Sequence, residues 1–264
     1  MLLKYGRFKF ELEPKDLLFL AVSGSHSYGT FRPDSDLDLR GVYIPSFKDA
    51  IKLQGGGMNT IFKSKEIADD IDIEFVPIRK WLQIILKGNG NYLENLWQEK
   101  VYPNYSDLSY HSVVGEKVRM VEELKHLIVK YGLSKKYRNH YIGFARSQRK
   151  DFGQKYKTKC LLYIYRVLMS GIVLYRDEEI EYNLHRLIKK VKIPETDTNL
   201  KFLLNNYQDE KSITTDHVKM RLDDDMDKLT EMLNMYADES ALPEKPDYEP
   251  FNDWMYKYYK RELE

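Results

Sequence analysis

The stretch "GSHSYGTFRPDSDLDLRG", residues 24–41, begins with a Gly-Ser pair and ends with aspartates at alternate positions, Asp36 and Asp38. Side chains two apart on a strand share one face. Two carboxylates placed side by side there repel, unless the face is fully wet or a cation holds the oxygens together. Magnesium takes oxygen ligands of this kind, usually one or two carboxylates completed by phosphates. A pair of such ions about 3.5–4 Å apart clamps the attacking and leaving oxygens of a phosphoryl transfer. A third carboxylate from a neighbouring strand would complete the clamp.

The flanking sequence supplies the strands. "LLFLAVSG" (17–24) is a short apolar run ending in glycine, the pattern of a buried strand. "DLDLRGVYI" (36–44) alternates acidic and apolar residues, the pattern of a half-buried one. "DIDIEFVPI" (70–78) repeats the alternation, with Asp70, Asp72 and Glu74 on one face and Ile71, Ile73 and Phe75 on the other. Asp72 is the central choice for the third acid, and Asp70 and Glu74 compete with it on pattern alone. Gly24, without a Cβ, lets a polyanion approach the backbone. Ser25 offers a hydroxyl or a helix cap, and a helix starting near His26 would turn free N–H groups toward phosphate. His26 suits a phosphate contact or a packed position beside the site. Arg40 falls on the Asp36/Asp38 face, where it binds phosphate or neutralises the acids.

These residues carry a resemblance. Gly-Ser, ten residues, then Asp-x-Asp resembles the signature of the DNA polymerase β-type nucleotidyltransferase superfamily. The longer form, residues 24–45, is similar to a family of predicted nucleotidyltransferases that includes RNA-repair-associated and phage proteins. Members often show Gly-Ser-His-x-Tyr-Gly, then Ser-Asp-x-Asp-x-Arg-Gly, then a helix leading to a Gly-Asn motif. Here these are residues 24–29, 35–41 and "IRKWLQIILKGNGNYLENLW" (78–97). The likeness extends more weakly into "HYIGFARSQRK" (140–150) and "KTKCLLYIYRVL" (157–168). It implies Gly24 and Ser25 at the triphosphate and Asp36 and Asp38 as metal ligands; the metal expected is Mg2+, two ions with Mn2+ as a substitute, with His26 and Arg40 counted beside Gly24 and Ser25 as nucleotide-binding candidates from their own place in the motif. Asp72 is implied as the third ligand and the base for the acceptor hydroxyl. The sequence departs from the family at Asn89-Gly90-Asn91, where Asn-Pro is usual, and at Tyr163, where histidine is common.

Length and composition set the frame. A chain of 264 residues makes one large domain or two ordinary ones. Strand patterns stop near residue 78 and helical periodicity dominates after about 110. The expectation is therefore α+β: a small mixed or antiparallel sheet domain at 1–110, then a mainly helical substrate-binding domain at 111–264. In 214–236, Val218, Leu222, Met226, Leu229, Leu233 and Tyr236 keep one helical face. "GNGN" (88–91) is expected to end a helix with a left-handed glycine. "LPEKPDYEPFND" (242–253) is expected to be extended before a last helix.

One cysteine, Cys160, excludes an internal disulfide framework and a cysteine zinc site, and it reads as a core residue in a reducing cytoplasm, bacterial if the chain is phage-encoded. A mean hydropathy of −0.58 and the absence of an uninterrupted apolar run of about 18 residues predict no membrane span. Net charge is +1, but residues 135–159 hold nine Lys/Arg against one acid, and 223–249 hold ten acids against two lysines. Both runs suit solvated helix faces, and the first also suits an RNA backbone. Lys155, Lys157, Lys159 and Arg166 have spacings compatible with one basic face, and "DDDMD" (223–227) reads as a polar helix face.

The function expected is transfer of a nucleotidyl group from an NTP, such as ATP, to a hydroxyl, first of all an RNA end, with release of pyrophosphate. The alternatives are a non-catalytic nucleotide- or RNA-binding module and an antitoxin-like partner protein on the same fold.

Overall fold

A computed structural model of the chain describes residues 16–52, 62–64, 71–103, 113–155, 157–192, 194–206 and 216–263. It is α+β, as expected. Strands β1 (Leu17–Val22), β2 (Leu37–Tyr43), β3 (Phe62–Ser64), β4 (Ile71–Pro77) and β5 (Lys100–Tyr102) form one sheet in the order β3-β4-β2-β1-β5. β2 and β4 run parallel, and the remaining pairs are antiparallel, so the sheet is mixed.

The chain divides into two compact units that do not follow the 1–110/111–264 division. The first comprises Met1–His26, Asp34–Leu133 and Pro246–Glu264, and the second Ser27–Pro33 and Ser134–Lys245. The change from strand to helix pattern misplaces the boundary because helices at both ends of the helical stretch pack with the sheet unit. Helix α5 (Val113–Leu127), closed by a π-helical turn at Ile128–Gly132, lies against β1. The last helix, α11 (Glu249–Leu263), returns to the same unit, where the Tyr259 hydroxyl donates to the Pro45 carbonyl at 3.1 Å and Trp254 Nε1 donates to Glu123 at 3.1 Å.

Within the first unit the strand alternation is realised as two faces. Leu39, Tyr43, Ile73 and Phe75 are buried on one face of β2 and β4. Gly41 sits opposite Phe75, and a Cβ there would stand 2.4 Å from its ring, which accounts for the Arg-Gly of the motif. The other face is covered by α3 (Ile78–Leu86), whose Trp81 ring meets Phe19 edge-on at 5.6 Å, and by α4 (Gly90–Glu94). Gly88, at φ +92°, ends α3, and Asn89 then caps α4 through the Tyr92 N–H. Lys100 closes the turn after α4 by donating to the carbonyls of Asn95, Leu96 and Gln98, and burial pushes its pKa down to about 7.

In the second unit, α7 (Thr158–Asp177) is buried at nearly every position among α6 (Tyr137–Lys155), α8 (Leu184–Val191), α9 (Pro194–Asn206) and α10 (Asp216–Glu239). Among the described residues α7 alone is long and apolar enough to cross a bilayer, and 89% of that stretch is buried within the protein as a core helix. The expected core position of Cys160 is observed. On α10, Met226, Leu229 and Leu233 are buried as the periodicity predicts, while the side chains of Val218 and Leu222 lie outside the described ones.

The basic face expected from Lys155 to Arg166 does not form. α6 ends at Lys155 and α7 starts at Thr158, so the helical phase is broken between them. Arg166 points inward, its guanidinium 3.7 Å from the centre of the Tyr28 ring. "DDDMD" is not wholly a polar surface either. Asp225 is 3% exposed and accepts from the Tyr165 hydroxyl and from Asn199 Nδ2, each at 2.6 Å.

His140 on α6 gives this unit a pH dependence. Burial, with the nearby Arg166 charge, lowers its pKa from 6.5 to about 4, and its Nε2 is buried without a hydrogen-bond partner. Between those values the unfolded chain takes up a proton that the folded chain refuses. The stability held above pH 6.5 is therefore lost as pH falls toward 4, by on the order of 3 kcal/mol. Thermal melts should show His140→Leu losing less stability than the unmutated chain across that interval. Equal losses would contradict this account.

Candidate active site

Topology gathers the acids at one end of the sheet. β1 leaves the sheet at Val22, next to where antiparallel β2 enters it, and parallel β4 enters beside β2. The register sets Asp38 opposite Asp72 and Arg40 opposite Glu74, all on the face that α3 and α4 cover. That cover thins along the face. Glu74 is 6% exposed, whereas the side chains of Arg40, Asp38 and Asp72 are 26%, 28% and 38% exposed. The open end of the face thus carries the two aspartates.

The Gly-Ser turn closes over Asp38. The Ser23 N–H donates to the Asp38 carbonyl at 2.8 Å, and Gly24 turns with φ +60° into a five-residue helix, α1 (Gly24–Tyr28). A Cβ on Gly24 would stand 1.8 Å from Asp38 Oδ2. The space that a side chain would fill is therefore taken by the carboxylate itself, a reason for glycine that strand patterns do not reveal. Ser25 is buried, at 2% exposure. His26 is half-buried, and its Nε2 lies 3.3 Å from the Ser35 carbonyl, across the loop that leads to β2.

The remainder of the motif belongs to the second unit. Tyr28 lies under Arg166 and edge-on to Tyr163, with ring centres 5.9 Å apart. Asn183 Nδ2 donates to the Ser27 carbonyl at 3.3 Å, and His185 Nε2 lies 3.0 Å from the Gly29 carbonyl.

Three carboxylates were expected to converge. Asp38 and Asp72 do lie together, joined through Arg40, whose Nη2 is 3.7 Å from Asp38 Oδ1 and 3.7 Å from Asp72 Oδ2. Asp36 does not share the strand, because β2 begins at Leu37, and its side chain is exposed. Among the described residues no group of three His, Cys, Asp or Glu is gathered to hold a metal ion. The donor set still suits a hard cation, since Asp38 and Asp72 present only carboxylate oxygens. Of Asp72's rivals, Asp70 lies outside the described residues. Glu74 is drawn inward, where it accepts from the Tyr92 hydroxyl at 2.8 Å. Burial and the Glu74 carboxylate push the Tyr92 pKa up to about 12, so this hydroxyl keeps its proton.

Arg40 lies beside the acids, the neutralising position that its place in the alternation allowed, whereas sequence reasoning missed Tyr92. The departing "GNGN" motif held the only signal for Tyr92, since Asn89 caps the short helix that carries it.

Known proteins share this sequence pattern over nearly the whole chain. The family described as RlaP, the RNA repair pathway DNA polymerase beta family, matches residues 8–257. The chain belongs to this family. As an RlaP-family chain it is 28% identical over 156 residues to YcgL of Bacillus subtilis (strain 168), a protein described as uncharacterized. That match spans 58% of this chain and 54% of YcgL, so the chain covers about half the length of that curated relative. A solved structure of spectinomycin adenyltransferase from Enterococcus faecialis, with ATP and spectinomycin, is 14% identical at a TM-score of 0.40, covering 84% of this chain and 93% of that one.

Part of the basic run 135–159 is paired within the helical unit. Arg149 Nη2 lies 2.8 Å from Asp223 and its Nη1 3.9 Å from Asp227, and Arg138 pairs with Asp238 at 2.5 Å. The two opposite charge runs of the sequence thus meet each other across α6 and α10. Arg146, Lys150, Lys157 and Lys159 remain exposed.

Proposed function

We propose that this chain transfers a nucleotidyl group from an NTP to a hydroxyl acceptor, with an RNA end as the first choice of acceptor, in a reducing cytoplasm. The observation that carries the reading is the register pair Asp38–Asp72, set beneath Gly24 at the open end of the sheet. Family membership supports the same class of chemistry.

In the proposed step the acceptor oxygen forms a bond to the α-phosphorus. The bond to the bridging oxygen of pyrophosphate breaks, and pyrophosphate leaves with that electron pair. The hydroxyl proton passes to the Asp72 carboxylate. Asp38 and Asp72 would hold Mg2+, with Asp36 reaching in from the preceding loop and Mn2+ as a substitute, and the ion would neutralise the triphosphate charge. The turn at Gly24 and Ser25 orients the β- and γ-phosphates, and His26 fixes the loop that brings Asp36 toward them. Positioning and charge stabilisation do the work, so no covalent intermediate is needed.

One observation favours a binding module instead: Arg40 already satisfies both acids. Incubation with each α-labelled NTP, Mg2+ and short RNAs separates the readings. RNA that gains label, and no longer does so when its 3′ hydroxyl is blocked, supports the proposal. Label on protein moves the acceptor to a protein hydroxyl. RNA binding with no labelled product overturns transfer in favour of the module.

A further inference from the structure

Arg40 takes no part in the proposed bond-making step, yet its guanidinium stands between the two acids meant for the cation. We propose that Arg40 is a placeholder cation with two seats, one between Asp38 and Asp72 when no divalent ion is bound, the other against Glu74 when an ion takes its place. This rests on the reading of Asp38 and Asp72 as a cation-holding pair.

The first seat is observed. One guanidinium nitrogen lies 3.7 Å from an oxygen of each aspartate, beyond hydrogen-bond length, so charge alone holds it there. The anchored nitrogen is Nη1, which donates to the Leu39 carbonyl at 3.1 Å. All three side chains are partly exposed, which weakens the attraction further. The guanidinium therefore neutralises the acids in a form that a better ligand can displace. A divalent ion bound between the same oxygens would face a cation at close range, and like charges in one seat expel the weaker binder.

The second seat is prepared on the same face. Glu74 stands directly across from Arg40 in the strand register, two residues further in than Asp72. It is buried beneath Tyr92, whose hydroxyl holds Oε1 at 2.8 Å and so fixes the carboxylate's orientation. The Arg40 charge already acts on the Tyr92 hydroxyl, opposing the rise that burial imposes. A carboxylate held in place and facing a guanidinium fork is a strong acceptor. Arg40 thus has somewhere to go, and until the ion arrives its charge offsets the repulsion between the two carboxylates.

The test is calorimetric titration of Mn2+ into the full chain without nucleotide, comparing the unmutated protein with Asp38→Asn, Arg40→Gln, Glu74→Gln and the Arg40→Gln/Glu74→Gln double variant, each checked by thermal melt for a retained fold. The proposal expects binding that Asp38→Asn abolishes and that Arg40→Gln tightens by about tenfold. It also expects Glu74→Gln to weaken binding several-fold when Arg40 is present and to have no effect when Arg40 is gone. Glu74 acting only through its own charge would weaken binding equally in both backgrounds, and that result overturns the two-seat device, as does an Arg40→Gln variant that binds no tighter. Either outcome leaves the proposed function standing. Absence of Asp38-dependent Mn2+ binding in every variant overturns the device and the reading beneath it together.

Discussion

Asp38→Asn is expected to lower nucleotidyl transfer by on the order of a thousandfold while leaving the fold intact. Asp38 is the residue on which the site's contacts converge. It lies opposite Asp72, faces the Arg40 guanidinium, and fills the space above Gly24. Asparagine has the same shape, so the turn at Gly24 should still close over it. The lost charge costs little stability, since the pair with Arg40 is loose and partly exposed, on the order of 0–1 kcal/mol. The loss of activity comes from removing half of the anionic pair that would hold a cation against the triphosphate. Asp72→Asn should fall as far, and the double variant little further, because groups that act as a unit are not additive. Transfer rates and a thermal melt of the same preparations check both halves. A large drop in melting temperature would mean that Asp38 is mainly structural.

Gly24→Ala should damage stability and activity together. The new Cβ would lie 1.8 Å from Asp38 Oδ2, 2.6 Å from its Cγ and 2.9 Å from its Cβ, so the aspartate has to move. The residue also sits at φ +60°, where alanine is strained. Together these should cost about 2–4 kcal/mol and lower transfer about as far as Asp38→Asn does. Combining Gly24→Ala with Asp38→Gly separates the causes. Removing the obstructing carboxylate should restore about half of the lost stability and none of the activity, leaving about 1–2 kcal/mol from the positive φ alone. A double variant as unstable as Gly24→Ala would show that backbone strain, and not the carboxylate, requires glycine here.

Much of the sheet was legible because strand alternation states it locally. The acidic-apolar alternation is realised at 37–43 and 71–77, which share one sheet with matching faces, and the register of β2 and β4 keeps Asp38 and Asp72 level. The helix stop at Gly88 was legible for the same reason, since a left-handed glycine is a local requirement. What alternation cannot state is where a strand begins. Asp36 and Asp38 are equivalent as pattern, yet the strand starts between them. Nor does it state depth. Asp72 and Glu74 share a face, but α4 covers only the second, and the cover depends on a cap at Asn89 that looks like an ordinary turn. In the helical half, Arg166 and Asp225 looked like surface charges because their partners, Tyr28, Tyr165 and Asn199, are remote in sequence. The two charge runs are the same lesson at larger scale. Each reads alone as a solvated face, and the basic one also as an RNA contact, while the fold sets one against the other.

The most direct test of the central claim is Mg2+-dependent release of pyrophosphate from NTP in the presence of an RNA acceptor, measured on the unmutated chain and on Asp38→Asn, Asp72→Asn and Asp34→Asn. Asp34, an exposed neighbour of the motif, serves as the control. Release should disappear in the first two variants and persist in the third. Release that survives the loss of Asp38 or Asp72 would contradict the claim.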